Sequence, residues 1–283
     1  MLLRRYMTEA ARHLERAGVD SPQLCAQLLV CSVLNITRLD CVLGADRKLT
    51  EEQLTDLNQL ILRRTNREPL VHILGRKEFF SRNFHITPDT LIPRPETELL
   101  VETALNLLPE SKRLFFADIG AGSGCIGITL ALERGLWRGV LLEISEKALG
   151  VAKFNAQNLN ATSNLAYIRA DMCRAPLKPC FFDLLVSNPP YIAESETDMV
   201  MDEVLCFEPH CALFSLCNGT LHLEAVVRLA ARVLKKEGMV LVEHGAKQGE
   251  QVRALLDSAG VFGNIGTQRD LAGLDRCTCA IKT

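Results

Sequence analysis

The sequence lacks a charge excess of either sign. Its 32 basic and 34 acidic residues give a formal net charge of −2 over 283 residues, so the overall charge does not draw the chain to nucleic acid or to an anionic membrane. No uninterrupted apolar run is long enough to span a bilayer, and residues 1–6 lack the sustained apolar core of a signal peptide. We therefore expect a cytoplasmic protein with no membrane contact and no direct nucleic-acid partner.

Paired cysteine clusters are lacking as well. The chain has 11 cysteines, an odd number, and most of them lie inside apolar runs without any pair of Cys-x-x-Cys clusters. That pattern argues against a disulfide framework and against a zinc site. We expect reduced thiols in the core or on a sheet face, and no metal site.

Residues 1–75 predict helices only. Ser21-Pro22 places an N-cap residue before a proline at the first helical position, and Thr50 with Gln53 forms a capping box. No reactive set of side chains occurs in this segment. A plain helical bundle and a docking surface for a macromolecule both fit it, and we predict a small N-terminal helical domain for substrate recognition.

Residues 76–95 predict a β-hairpin linker, because prolines and glycines exclude long helices while residues 77–80 and 84–86 are short strand-like runs. Residues 96–283 alternate between apolar strands and helices, which is typical of right-handed βαβ units and a parallel sheet. The last two strands, near residues 264–266 and 276–281, are joined by a loop alone and can pair antiparallel. The predicted fold is α/β: a Rossmann-like, mostly parallel sheet with its last strand antiparallel.

The most informative stretch is Asn188-Pro189-Pro190-Tyr191, which follows the apolar run of residues 182–187. Two prolines cannot continue a strand, so the backbone turns outward where ligands bind in open α/β sheets. An Asn amide oxygen, a proline carbonyl and an aromatic face are then adjacent. Together they suit an amino group with two N–H donors.

A glycine-rich turn, residues 118–124, closes one strand and opens a helix. Gly122 to Gly127 matches the dinucleotide pattern G-x-G-x-x-G, with Glu143 about twenty residues further on. The second interpretation begins at Asp118, because a carboxylate there repels a pyrophosphate but suits a ligand with an ammonium and a sulfonium group. That ligand is S-adenosylmethionine. Glu143 then binds the ribose hydroxyls. Asp171-Met172, after the third strand, meets the adenine, with Met172 as a soft apolar contact.

Read together, these motifs resemble the class I, S-adenosylmethionine-dependent amino-group methyltransferases. Further stretches narrow the resemblance to the peptide-chain-release-factor glutamine methyltransferase (PrmC/HemK) family: residues 88–98, Phe207-Glu208-Pro209, Val242-Glu243-His244-Gly245 and residues 269–273. The resemblance covers nearly all of the chain from Glu68 onward.

This resemblance implies methylation of the glutamine side-chain amide in the Gly-Gly-Gln loop of release factors, which would be the protein partner, with residues 96–283 as the methyltransferase domain. Asn188, Pro189 and Tyr191 would be catalytic, and with Pro190 they would hold the glutamine. The expected cofactor-binding residues are Asp118, Gly120, Ala121, Gly122, Ser123, Gly124, Glu143, Met172 and Asn188.

Two positions depart from the family pattern. Glu143 stands where Asp is usual, so an extra methylene must fold back or displace the ribose. Met172 stands where an aromatic residue often packs on the adenine.

Three other functions compete with this one. An adenine-amino methyltransferase of DNA or RNA acts on the same kind of amine, but acidic residues follow Tyr191 with no Lys or Arg from 192 to 203, and phosphates need basic neighbours. An NAD-dependent oxidoreductase has only the six-residue glycine match in its favour. A catalytically inactive binding module on the same fold would not need the whole tetrapeptide.

Overall fold

The computed structural model describes residues Met1 to Thr283, whose internal contacts divide the chain into two units, Met1–Arg76 and Lys77–Thr283. None of its helices combines the length and the apolar character that crossing a membrane requires. All 11 cysteines are free thiols. Five of them are neither in the core nor on a sheet face, contrary to the expected placement: Cys173, Cys180, Cys206, Cys211 and Cys217 are exposed.

The first unit is helical apart from an isolated bridge between Leu2 and Lys48 and its last residue, Arg76, which begins a strand. Its helices are α1 (Leu3–Arg16), α2 (Pro22–Leu34), α3 (Arg38–Leu43), α4 (Glu51–Thr65) and α5 (Leu70–Leu74). They enclose a core that includes Leu3, Leu14, Leu29 and Leu57, all fully buried.

The helix starts of this unit are partly as expected. At α4 the capping box is present, with Thr50 and Gln53 each bonding to the other's backbone N–H. At α2, Pro22 begins the helix, but Ser21 makes no capping bond. Its backbone is left-handed, with φ 49°, so its side chain is not placed as in a regular N-cap.

The second unit begins with a two-stranded hairpin and continues into a seven-stranded sheet. The hairpin strands are β1 (Arg76–Phe79) and β2 (Arg82–His85). The strands of the large sheet are β3 (Phe115–Ile119), β4 (Arg138–Glu143), β5 (Leu165–Arg169), β6 (Phe182–Ser187), β9 (Leu234–Glu243), β10 (Phe262–Arg269) and β11 (Asp275–Lys282), while β7 (Ile192–Ala193) and β8 (Phe214–Ser215) form a short separate pair.

Helices connect these strands and cover the sheet. They are α6 (Glu98–Leu107), preceded by a 3₁₀ turn at Pro95–Thr97, then α7 (Cys125–Glu133), α8 (Glu146–Asn158), α9 (Asp202–Phe207), α10 (Leu216–Gly219), α11 (Leu221–Val233) and α12 (Gly249–Ser258). Residues of α11 and α12 pack with β6, β9 and β11 in one continuous apolar core.

The order of the large sheet is β10-β11-β9-β6-β3-β4-β5. Pairing is parallel from β5 to β9, while β11 runs antiparallel to both β9 and β10. The predicted α/β fold with an antiparallel last strand is therefore confirmed. Because the parallel strands point the same way, the residues that follow β3, β4 and β6 emerge at one edge of the sheet.

Candidate active site

One cleft lies at this edge, where β3, β4 and β6 end side by side. Ile119 of β3 is level with Leu142 of β4 and with Ser187 of β6. The cleft brings together the predicted site residues Gly120, Gly122, Glu143, Met172, Asn188 and Pro190.

The other predicted site residues do not line the cleft. Ala121, Ser123 and Pro189 are buried behind its surface, and Asp118 is fully buried beneath the glycine loop. Tyr191 is half-buried and packs against the core that α11 and α12 cover. The motif residues are therefore neighbours in the fold, but only some of them face the ligand space.

The glycine loop is shaped by three left-handed residues: φ is 73° at Gly120, 54° at Gly122 and 80° at Gly124. A Cβ at Gly122 would meet no atom within 4 Å, whereas a Cβ at Gly124 would lie 2.8 Å from Ile128 Cδ1. Gly122 thus presents bare backbone to the cleft, and Gly124 allows the loop to pack closely on α7.

Asp118 supports this loop from below. Its Oδ2 accepts a hydrogen bond from Gly127 N at 2.9 Å, in the first turn of α7, while Oδ1 has no partner in the protein. Burial, and secondarily the charge of Glu143, raise the pKa of Asp118 to about 7, against the lowering effect of the Gly127 bond.

Glu143, the last residue of β4, has its carboxylate held by the backbone. Oε2 accepts from Gly122 N and Oε1 from Ser145 N, both at 2.9 Å. The extra methylene relative to aspartate therefore folds back onto the glycine loop. Each oxygen can still accept a further hydrogen bond from a ligand in the cleft.

Met172 lies beside the loop after β5. Its Cε is 3.6 Å from where a Cβ of Gly120 would lie, so the thioether extends along the glycine turn. The preceding Asp171 uses Oδ1 to accept from Cys173 N at 2.8 Å. This side of the cleft thus combines the apolar Met172 with the Asp171 carboxylate, and a local turn fixes it.

The Asn188 amide has two different ends. Nδ2 donates to Thr97 Oγ1 at 3.2 Å, while no protein group donates to Oδ1. Just before it, Ser187 Oγ donates to Ile119 O at 2.7 Å and ties the end of β6 to the end of β3. Asn188 is therefore anchored on its nitrogen side, with an oxygen acceptor left for a ligand.

Tyr191 lies among charged groups behind the cleft. Burial raises its pKa to about 12, and the negative charge of Glu243 acts in the same direction. Gln248 Nε2 donates to its carbonyl oxygen at 3.0 Å. The Tyr191 hydroxyl thus stays neutral at physiological pH and the backbone on its C-terminal side is fixed.

An ion pair and a hydrogen bond at the rim of the cleft join two of the motif stretches, residues 88–98 and Phe207-Glu208-Pro209. Arg94 Nη2 lies 2.6 Å from Glu208 Oε1, and Ile92 N donates to Glu208 Oε2 at 2.9 Å. Glu208 is 4% exposed, so its charge is compensated by these bonds. The pair holds residues 92–94 against the loop that contains Pro209.

Sequence reasoning missed several residues of the cleft wall. Those it did not assign to the site are Asp89, Thr90, Leu91, Leu142, Ile144, Ser145, Ala148, Ala170, Pro209, Cys211, Ala212 and His222. Asp89, Thr90, Leu91 and Pro209 belong to motif stretches, which was an available signal. His222, which sits on α11 and shares a 2.8 Å hydrogen bond with Ser215 Oγ, carries no local signal at all.

Comparison with known proteins covers both units. A family model described as the PrmC N-terminal domain matches residues 6–75, and one described as the methyltransferase small domain matches residues 95–223. The chain is 41% identical over 271 residues to a protein named release factor glutamine methyltransferase from Nitratidesulfovibrio vulgaris, covering 95% of this chain and 92% of that one.

Proteins of the same name occur in Koribacter versatilis, with 37% identity over 98% of this chain and 97% of the relative, and in Caulobacter vibrioides, with 36% identity over 97% and 94%. A solved structure of a methyltransferase from Pyrococcus furiosus aligns with a TM-score of 0.53 at 15% identity, over 73% of this chain and 91% of that one. This last likeness concerns the fold alone.

Proposed function

The chain belongs to the release factor glutamine methyltransferase family, and on that premise we propose that it methylates the side-chain amide nitrogen of the glutamine in the Gly-Gly-Gln loop of peptide chain release factors. The methyl donor in this proposal is S-adenosylmethionine. The observation that carries the proposal is Asn188, whose oxygen is left free at the cleft while its nitrogen is held by Thr97. A substrate of translation termination places the reaction in the cytoplasm.

The wall of the cleft suits S-adenosylmethionine. Gly120 and Gly122 allow close approach of a ligand to the backbone, Glu143 has acceptor positions left for the two ribose hydroxyls, and Met172 offers a soft apolar surface to the adenine. When bound, this cofactor supplies a methyl group on a positively charged sulfur. In the proposal Asp118, Ala121, Ser123 and Gly124 hold the loop in shape from behind.

The substrate chemistry explains why two oxygen acceptors are needed. The nitrogen lone pair of an amide is delocalised into its carbonyl, which makes the nitrogen a poor nucleophile. In the proposal Asn188 Oδ1 accepts one N–H group of the glutamine at the cleft surface. The Pro189 carbonyl, which lies just behind that surface, accepts the other, and no protein group donates to either oxygen. Acceptors placed in this way stabilise the pyramidal, positively charged nitrogen of the transition state more than the planar ground state.

In the proposal, orientation of the glutamine side chain also increases the rate of methyl transfer. Pro190 at the cleft and Tyr191 behind it enclose the substrate side chain in this proposal, which restricts its approach to one direction. The proposal contains no general base, since the nitrogen proton becomes acidic once the methyl group has been transferred. His244 is fully buried and bonded to Thr278 Oγ1 at 2.8 Å, in keeping with a packing role.

The choice of a protein over a nucleic acid rests on charge. Glu194, Glu196, Asp198 and Asp202, which follow the tetrapeptide, are all exposed, and such a surface repels phosphates. It suits a partner with basic residues around its glutamine loop.

The proposed role of residues 1–75 is recognition of the release factor, with residues 76–95 as the linker. Support comes from helix α3, where Leu39, Val42 and Leu43 are 66%, 62% and 76% exposed. Three large exposed apolar side chains on one six-residue helix form a cluster, and such clusters are typical of interaction surfaces. A folded substrate can cover them.

The test is a transfer assay with methyl-labelled S-adenosylmethionine and a purified bacterial release factor. We expect one methyl group on the glutamine of the Gly-Gly-Gln loop, mapped by peptide mass spectrometry. A release factor with that glutamine replaced by alanine is the matched control and should stay unlabelled. Labelling of DNA or RNA instead, or equal labelling of the control factor, would contradict the proposal.

A further inference from the structure

Behind Asn188 lies a buried series of polar groups that have no role in the proposed reaction as described above. Thr97, whose Oγ1 accepts from Asn188 Nδ2 at 3.2 Å, is only 2% exposed and ends the 3₁₀ turn before α6. The same hydroxyl acts on the buried carboxyl group of Glu243 as a hydrogen-bond donor, which opposes the rise in the pKa of that group. Asn188, Thr97 and Glu243 therefore form a relay leading from the cleft into the protein.

The sheet places the two ends of this relay side by side. Ser187 of β6 pairs with Val242 of β9, so Asn188 and Glu243 are the next residues on neighbouring parallel strands. Glu243 is 1% exposed, and its Oε2 has no partner in the protein. A carboxyl group buried this deeply is rare unless a specific role or partner stabilises it.

The direction of each hydrogen bond in the relay follows from counting protons. An ionised carboxylate can only accept, and a threonine hydroxyl has a single proton to donate. If Thr97 donates that proton to Glu243, its oxygen must accept from Asn188. The amide then has to present Nδ2 to Thr97 and Oδ1 to the cleft.

We infer that Thr97 and Glu243 are positioning residues that fix which end of the Asn188 amide faces the substrate. The inference rests on the proposed function, in which Asn188 Oδ1 accepts a substrate N–H. A protonated Glu243 can itself donate to Thr97, whose own proton is then free to bond Asn188 Oδ1. In that arrangement the amide turns its NH₂ group toward the substrate N–H groups, and the acceptor is lost.

The electrostatic surroundings put this switch near neutral pH. Burial raises the pKa of Glu243 to about 7, while Thr97, Arg276 and Arg94 oppose the rise and Glu96 adds to it. The Glu243 carboxyl group interacts electrostatically with these titratable and charged groups: Arg94, Glu96, Cys125, Tyr191, Arg276 and Cys277. Only the ionised form enforces the productive direction, so turnover should rise with pH through this range.

The decisive variants change the hydroxyl without changing the side-chain shape. Thr97→Val removes the hydroxyl, and Thr97→Ser keeps it. Thr103→Val is the matched control, because Thr103 lies on α6, is 6% exposed and donates to Leu99 O at 2.7 Å without contacting Asn188. Each variant is assayed as full-length protein with S-adenosylmethionine and a release factor, after thermal melting and cofactor titration have established folding.

For Thr97→Val we expect kcat to fall by about tenfold or more, with KM for the release factor within about twofold of wild type. Thr97→Ser and Thr103→Val should keep nearly full kcat. Glu243→Gln should lower kcat and abolish the rise of kcat between about pH 6 and 8, because its amide can both donate and accept and no longer titrates.

Wild-type kcat in Thr97→Val, or equal loss in Thr97→Ser and Thr97→Val, overturns the inference. A rise of kcat with pH that survives in Glu243→Gln overturns the role of that carboxyl. These failures differ from failure of the proposed function, which would show as a wild-type protein that labels no release factor.

Discussion

Replacing Asn188 by alanine is the sharpest test of the proposed chemistry. The half-buried side chain makes a single hydrogen bond, to Thr97 at 3.2 Å, so its loss should lower the free energy of unfolding by about 1 kcal/mol or less. In the transition state the loss is larger, because one of two acceptors for the developing ammonium-like nitrogen disappears. By analogy with removing one oxyanion-hole donor, we expect kcat to fall about 100-fold, which corresponds to about 2.7 kcal/mol.

The assay is the transfer of labelled methyl to an intact release factor, with kcat and KM determined separately and stability measured by urea unfolding. Asn158→Ala, an exposed position at the end of α8, is the control and should be unaffected. Asn188→Asp keeps an acceptor but should also be slow, because a carboxylate demands the Thr97 proton that otherwise goes to Glu243. Near-wild-type kcat in Asn188→Ala, with the label still on the glutamine, would refute the role of this amide.

Four further predictions concern the cofactor, two buried side chains and the substrate. Calorimetry should detect binding of S-adenosylmethionine or its demethylated product and none of NAD; binding of NAD alone would contradict the assignment of the cleft. Asp118 has its ordinary pKa of 3.8 raised to about 7, so the folded state holds its proton more tightly than the unfolded state, and the stability that this gives is lost as pH rises through about 7. In urea titrations, the free energy of unfolding of Asp118→Asn minus that of wild type should therefore be a few kcal/mol higher at pH 8 than at pH 5. A difference that does not change with pH would contradict this prediction. Asn155 is 1% exposed; its Oδ1 accepts from His85 N at 2.7 Å, and its Nδ2 donates to His85 O at 3.0 Å and to Ser123 O at 2.9 Å. Asn155→Ala should therefore lower the free energy of unfolding of the second unit by about 3 kcal/mol. A decrease under about 1 kcal/mol would show that these bonds contribute little. A short glutamine-loop peptide should be a poorer substrate than the intact release factor in both kcat and KM, because it forgoes remote contacts; equal efficiency on both would remove the recognition role of residues 1–75.

Much of the fold follows from local pattern. β6 has the bounds that the sequence predicts, since the prolines after residues 182–187 end the strand. β9 begins at Leu234, ahead of its apolar part from Met239 onward. The intervening charged residues look like a turn, yet the strand passes through them with a bulge, Glu237 having φ 63°. Pairing with β6 outweighs the local preference there.

Some residues of the candidate site could likewise be recognised from local sequence, whereas others depend on contacts between residues far apart in the chain. The glycine turn after β3, the acid at the end of β4 and the prolines after β6 identify the cleft edge, so Gly120, Gly122, Glu143 and Asn188 could be placed on it from sequence. The contact between Asn188 and Thr97 spans 91 residues and that between Arg94 and Glu208 spans 114. Such pairs depend on how loops close over the sheet, and no periodicity or turn chemistry within either segment encodes them.

The position of β11 has a consequence for how the protein is made. This strand lies between β9 and β10, pairing Ile281 with Met239 on one side and Lys282 with Phe262 on the other, and β10 has no other strand partner. During synthesis β9 therefore exposes an unpaired apolar edge until residues 275–282 have emerged, an arrangement that favours association between nascent chains. The same strand carries Thr278, the partner of His244, and Arg276, whose charge acts on Tyr191 and Glu243. We expect the wall behind the cleft to be among the last parts to become ordered, and hydrogen-exchange labelling of refolding protein should show β11 and residues 188–191 gaining protection together.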